Sequence, residues 1–539
     1  MTNAPPLTLF RGGPIHTMLG PRLDAGAVLC CGGSIDYVGP VEGLDRARTR
    51  GAEIVELDGR PLLPGFCDSH VHMILAAQQF AAIDLRDIGT LDQLINIVAN
   101  RAASRGAGEW ITGYGWERES LLTEGPLSSA LLDAATMDHP VFLVSKDCHS
   151  AWLNTSALRR LEALPRLPVK SQVERNDGRP SGLVFEDVFY LREMLLPPLA
   201  DTEKERALAS FVRHLWGCGI TAVHTQETSS DLELLLRHQA RSQERVRVLC
   251  NLVLPEAGEL EVIADSFHAT IPNWLGIGGA KIFLDGSFGS LTAAVTTPYA
   301  RGGGRGILSL SDTELGRWLD ACATKNLPAV MHAIGDRAVE QALRCLKGRK
   351  WPPGTRHRLE HAQLLSQRIL ARHDLRGLIF SGQPSHMWPD RGIVERNLPN
   401  PTAKRWTYPY RTIQKCGAIL VFGSDAPIET PHPWKGIEAA VTRLESAENS
   451  PWIAEESITL TDALSAHTSR PALIHGHAFR TGTLERGRSA DLVILDRDPW
   501  EVFDRDPSEL RHIQVEQTFV EGERVYRQSN RRPPGGTAH

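Results

Sequence analysis

Eight short apolar runs, separated for the most part by helical stretches, constrain what this chain can fold into more than any other feature. They cover residues 62–66, 220–224, 245–252, 279–284, 329–332, 357–360, 378–381 and 418–423. Residues 312–325 and 337–347 are two of the helical stretches between them. Strand and helix alternating in this way predict a parallel (β/α)8 barrel, which offers side chains for chemistry at the C-terminal ends of its strands.

Those ends carry polar residues of one chemical kind. The first run leads into Pro64-Gly-Phe-Cys-Asp-Ser-His70-Val-His72, and Lys281 sits in Gly278-Gly-Ala-Lys-Ile-Phe-Leu-Asp-Gly. His332 follows Ala329-Val-Met, His361 closes His357-Arg-Leu-Glu-His, and Asp425 lies in Val421-Phe-Gly-Ser-Asp-Ala-Pro. Imidazoles and carboxylates are the ligands a divalent transition metal takes. Alternate residues of a strand project to one side, so His70 and His72 can face one ion. The pair alone decides little, because 20 histidines in 539 residues give about 0.7 such pairs by chance. A second pair, His475-Gly-His477, has no strand-like run leading into it and is set aside. Taken singly, His332 and His361 read equally as core histidines, Asp425 as a turn cap, and Lys281 as an interior lysine paired with Asp285. The joint pattern points to a metal centre.

Composition narrows the class further. A net charge of −5 with 23% charged residues leaves no basic surface for nucleic acid. No apolar run reaches the length of a membrane span, and the N-terminus lacks a signal-peptide pattern. Nine scattered cysteines without a CxxC pair fit a reduced, cytoplasmic setting. Cys67 and Cys148 read as packing thiols rather than ligands. The expected partner is a small molecule, neither nucleic acid nor membrane.

Both chain ends read as short strands broken by glycines. Residues 1–60 with 478–528 are expected to pair into a small β-sandwich domain, and 529–539 to form a disordered tail. The barrel then takes 61–77 and 206–477. Roughly 150 residues separate the first two barrel runs, far more than a crossover requires. Residues 78–205 are therefore expected to form an inserted subdomain over the barrel mouth, acting as a lid.

The wording of the motifs resembles the amidohydrolase 3 branch of the metal-dependent amidohydrolase superfamily, whose members include YtcJ-like proteins and N-substituted formamide deformylase. The likeness extends over residues 1–528. It includes Trp110-Ile-Thr-Gly-Tyr-Gly-Trp116, Asp147-Cys-His149-Ser-Ala-Trp-Leu-Asn154, Lys281-Ile-Phe-Leu-Asp-Gly-Ser, His332-Ala-Ile-Gly-Asp-Arg-Ala, Leu359-Glu-His-Ala-Gln and Ala490-Asp-Leu-Val-Ile-Leu-Asp. The resemblance implies His70, His72, Lys281, His332, His361 and Asp425 as metal ligands, with Asp425 also moving the proton. It implies two zinc ions bridged by a carboxylated Lys281. Iron, manganese or cobalt would accept the same ligands, and one metal or two depends on Lys281. His149 is implied as a hydrogen-bond donor to the substrate oxyanion, with Asn154, Trp116 and Glu117 as substrate contacts. His149 and Asn154 also read as stabilisers of a local turn. His224-Thr-Gln226 departs from the pattern, since an acidic residue is expected there.

The implied activity is metal-dependent hydrolysis of a carbon–nitrogen bond in a non-peptide amide or formamide. An ester, carbamate or cyclic imide would suit the same site, and an inert metal-binding scaffold is the reading of another class. The apolar lid and β-domain are compatible with a homodimer.

Overall fold

Eight parallel strands, here β1 to β8, carry the candidate residues. They are Phe66–Val71, Ile220–Glu227, Arg247–Val253, Leu275–Phe283, Ala329–Ala333, Arg358–His361, Ile379–Gly382 and Ile419–Phe422. Each pairs in parallel with the next in one continuous eight-stranded sheet. The sheet is nearly closed. Between β8 and β1 the joint is an isolated parallel bridge, Val71 to Ala426. Asp425 N–H donates to the His70 carbonyl at 2.7 Å, and His72 N–H donates to that of Ala426 at 2.8 Å. Near-continuous apolar runs such as Ile419–Phe422 belong to strands covered on both faces. Between β4 and β5, the helix Asp312–Thr324 starts on a capping box in which Ser311 and Glu314 satisfy each other's backbone N–H groups. The computed structural model describes residues 6–20, 24–44, 49–86, 88–116, 121, 127–145, 150–167, 172–185, 188–197, 199–254, 270–300, 302–398, 404–445, 450–475 and 479–528.

The first barrel strand is displaced from its sequence reading. Residues Leu62–Pro64 form a short strand of another sheet, antiparallel to Leu492–Leu495, and β1 begins only at Phe66. Gly65 makes the change of sheet possible. A Cβ there would lie 2.3 Å from the Thr221 hydroxyl, so only glycine lets the chain pass β2 so closely. His70 thus lies inside the strand rather than after it.

The second sheet joins the two chain ends. Leu7–His16, Asp24–Cys31, Ser34–Gly39, Glu53–Glu56 and Leu62–Pro64 meet Leu492–Leu495, Val515–Val520 and Glu523–Arg527 in one sheet that branches at Leu7–His16. Phe10, Val28, Leu62, Ile494 and Phe519 share its core, with the Phe10 and Phe519 rings edge to face at 5.0 Å. A buried ion pair ties this sheet to the barrel. The Arg247 guanidinium donates to Asp491 through Nε at 2.7 Å and Nη2 at 2.8 Å.

The chain divides into two units, Met1–Met73 with Val212–His539, and Ile74–Phe211. The second has its own six-stranded mixed sheet, with Ile111–Trp116, Val141–Ser145 and Ser150–Leu153 at its centre. Alternation along Val141–Ser145 divides its core. Val141 and Leu143 pack on one face with Trp152, while Phe142 and Val144 pack on the other with Leu153. Among the described residues no helix is long and apolar enough to cross a membrane.

Removing Asp491 leaves the buried Arg247 with only the partly exposed Glu521 carboxylate, 3.5 Å away. Asp491→Ala is expected to lower the free energy of unfolding by about 3–5 kcal/mol, measured by denaturant titration. A loss within ±0.5 kcal/mol, the range of ordinary surface changes, would mean that the pair does not join sheet and barrel.

Candidate metal centre

Three buried side chains converge most tightly. One ligand atom from each of His70, His361 and Asp425 lies within 4.8 Å of the other two. His72 joins through Asp425, whose Oδ1 is 3.4 Å from His72 Nε2 and 3.3 Å from His70 Nε2. The His332 ring stands 4.5 Å from that of His361, centre to centre. Lys281 is buried on β4, and its Nζ lies 5.2 Å from the centre of the Phe283 ring.

Each of three imidazoles has one nitrogen committed to an acceptor. His70 Nδ1 contacts the Glu360 carboxylate. His361 Nδ1 lies 2.8 Å from the Gln383 side-chain oxygen, whose amide direction is set by donation to the Ser381 carbonyl at 3.1 Å. His332 Nε2 lies 3.1 Å from the Gly286 carbonyl. An acceptor on one ring nitrogen puts the proton there and leaves the lone pair on the other. His70 Nε2, buried and without a hydrogen-bond partner among the described residues, is such a lone pair facing the cluster. This donor set fits a divalent metal ion.

The electrostatics agree. Burial, then the Lys281 ammonium, lowers His332 to about 4. Burial also lowers His70, and with the neighbouring His332 it holds His361 well below the usual range. All three rings are therefore neutral near pH 7, the form a metal requires. Burial would raise Asp425, yet His70, His72 and His361 hold its carboxyl well below the ordinary range. Burial pushes Lys281 down to about 8, against the pull of Glu360 and Asp425, and Arg358 adds to the fall. Asp285 does not pair with Lys281. It accepts backbone N–H groups of Ala294, Ile334 and Gly335 at 2.8–2.9 Å.

Backbone geometry aims the last two candidate ligands. His361 has φ 71° and Asp425 φ 59°, left-handed conformations that cost about 1–3 kcal/mol each in residues with a Cβ. Asp68 braces the turn holding Asp425, accepting the Ser424 N–H at 2.9 Å and its hydroxyl at 2.5 Å. Gly423 is required there, because a Cβ would lie 2.3 Å from the His70 nitrogen.

The sequence reading did not single out Glu360, Arg358, Asp68 or Gln383. Two opposite charges two residues apart in the buried run Arg358–His361 were the available signal, since both must face one side of the strand. Arg358 touches Glu360, donates to the Ser69 carbonyl and to Ser381 Oγ, and meets His224 Nδ1 at 2.7 Å. His224 therefore supports Arg358. Gln226, where an acidic residue was expected, is a buried amide with neither polar atom hydrogen-bonded among the described residues. Burial raises the Cys67 thiol far above its usual range.

The residues expected from the inserted segment stand differently. Trp116 is buried in the core of its own unit and donates its indole N–H to the Leu143 carbonyl. Asn154 caps the helix Thr155–Glu162, accepting from Val141 and Ala157 N–H groups and donating to the Thr136 and His139 carbonyls. Its recorded bonds are all local, as the turn-stabilising alternative has it. His149, Glu117 and Cys148 lie outside the described residues, as does His477.

Residues 53–526 match the amidohydrolase family. The chain belongs to that family. It is 28% identical to the putative amidohydrolase YtcJ of Bacillus subtilis, over 97% of this chain and 99% of the relative. It is 26% identical to the N-substituted formamide deformylase of Arthrobacter pascens, over 92% and 94%. Among solved structures, a metal-dependent hydrolase from Pyrococcus furiosus superposes with a TM-score of 0.75 and 26% identity, covering 92% of this chain and 99% of that one. This amidohydrolase is thus a hydrolase whose histidine and aspartate cluster suits a divalent metal.

Glu360→Gln removes the anionic acceptor from His70. We expect metal affinity to fall about 10–100-fold, read by chelator competition. Unchanged affinity would mean that Glu360 does not orient the ligand.

Proposed function

We propose that this amidohydrolase cleaves a carbon–nitrogen bond in a small non-peptide amide or N-substituted formamide, using two zinc ions. The observation that carries the reading is the convergence of His70, His361 and Asp425 on one buried spot, with the His70 lone pair unpartnered. The formamide class is favoured by the deformylase relative. His70, His72, His332 and His361 would hold the ions through imidazole nitrogens. Lys281, carboxylated at Nζ, would contribute anionic oxygen donors. Bound divalent metal supplies a nucleophilic water near neutral pH and polarises the scissile carbonyl. Asp425 accepts the proton of the attacking water and delivers it to the departing amine. Glu360 and Gln383 keep the rings of His70 and His361 in their ligand tautomers throughout.

The test uses zinc-loaded protein prepared with bicarbonate and a panel of N-substituted formamides, simple amides and dipeptides. Turnover is expected on the formamides or amides, to be abolished by chelation and restored by zinc. Asp425→Asn is expected to lower kcat about 10²–10⁴-fold. No hydrolysis of any formamide or amide by loaded enzyme, or full activity in Asp425→Asn, would contradict the reading.

A further inference from the structure

The unit Ile74–Phe211 contains a cavity of about 940 Å³ whose lining shares no residue with the metal centre. Its walls come from separate stretches of chain. Arg105 follows the helix Leu91–Ala103, Arg160 belongs to Thr155–Glu162, Arg192 to Val188–Leu195 and Lys204 to Asp201–Gly217. Four cationic side chains from four places give this wall a positive potential that favours an anion. Two acidic residues also line the cavity, Glu109 and Glu203, and both lie on Arg105, at 3.4 and 4.0 Å. Among the described residues neither Arg160 nor Lys204 has a carboxylate partner.

The cavity also has an aromatic wall. The Arg160 guanidinium stands 4.9 Å from the centre of the Trp110 ring, a cation–π contact that fixes the charge beside a flat apolar surface. Ala82, Leu196 and Leu199 add apolar lining. A guanidinium beside an aromatic ring still offers N–H groups to a carboxylate or sulfonate. The volume lies in the range of small-molecule sites, and apolar walls with a few convergent polar groups are their usual make-up.

We propose that this cavity is a second ligand site, taking a flat aromatic molecule that bears a carboxylate or similar anionic group. The ring packs along Trp110 and the alanine and leucine wall. Its anionic group meets Arg160 and Lys204.

The probe is 1-naphthoate, titrated calorimetrically into the zinc-loaded full-length enzyme. The neutral isostere 1-naphthalenemethanol serves as the comparison. We expect saturable binding of one naphthoate per chain, weakened by salt, and about tenfold or more weaker binding of the alcohol. Arg160→Ala with Lys204→Ala should weaken naphthoate about tenfold or more at an unchanged melting temperature. The charge reversal Lys204→Glu, on one partly exposed side chain, should weaken it several-fold and stands in if the double variant does not fold. No saturable binding, equal affinity for the alcohol, or naphthoate affinity unchanged in the variants would each overturn the proposal.

Discussion

The Glu360 carboxylate is the charge on which the rest of the centre depends. It lies fully buried between Arg358, from its own strand, and His70, from the first. Burial would raise its pKa, but Arg358 and then His70 hold it well below the ordinary carboxylate range. An ionised group there needs every lone pair answered, and answering them fixes the geometry. One oxygen sets the His70 tautomer, and the guanidinium that balances the charge is held by Ser69, His224 and Ser381. Strands β1, β2, β6 and β7 are thereby joined through a single arginine. The orientation of one ligand and the charge balance of the barrel interior are the same set of contacts.

The seam between β8 and β1 is the second constraint. Ordinary ladder pairing gives out there, and side chains take over. Asp68 on β1 holds Ser424, while the backbone carbonyl of His70 holds Asp425. The aspartate that completes the cluster is thus positioned by the same strand that supplies the first two histidines. Left-handed φ values at His361 and Asp425 show strain concentrated at the ligands and offset by the surrounding bonds. Loops at strand ends set on a rigid sheet are where such strain can be carried.

Much of this was legible in the sequence because the signals were local. Apolar runs marked the barrel strands, and the imidazoles and Asp425 stood at or just past their ends. What the sequence hid depends on contacts between distant residues. Leu62–Pro64 looked like the first barrel strand because its apolarity suits either sheet, and only pairing with Leu492–Leu495 decides. Glu360 passed unremarked since its partners are a histidine 290 positions away and an arginine on the same strand. Gln383 orients His361 from the neighbouring strand, and nothing in its own surroundings marks it. Asn154 sits in a motif that invites a functional reading, yet its amide serves the backbone of Val141 and Ala157.

Six residues from five strands are proposed to form one centre for divalent metal. Elemental analysis of the untagged protein, purified with bicarbonate and without chelators, tests it most directly. About two zinc-like ions per chain are expected. No metal, even after reconstitution with zinc and bicarbonate, would contradict it.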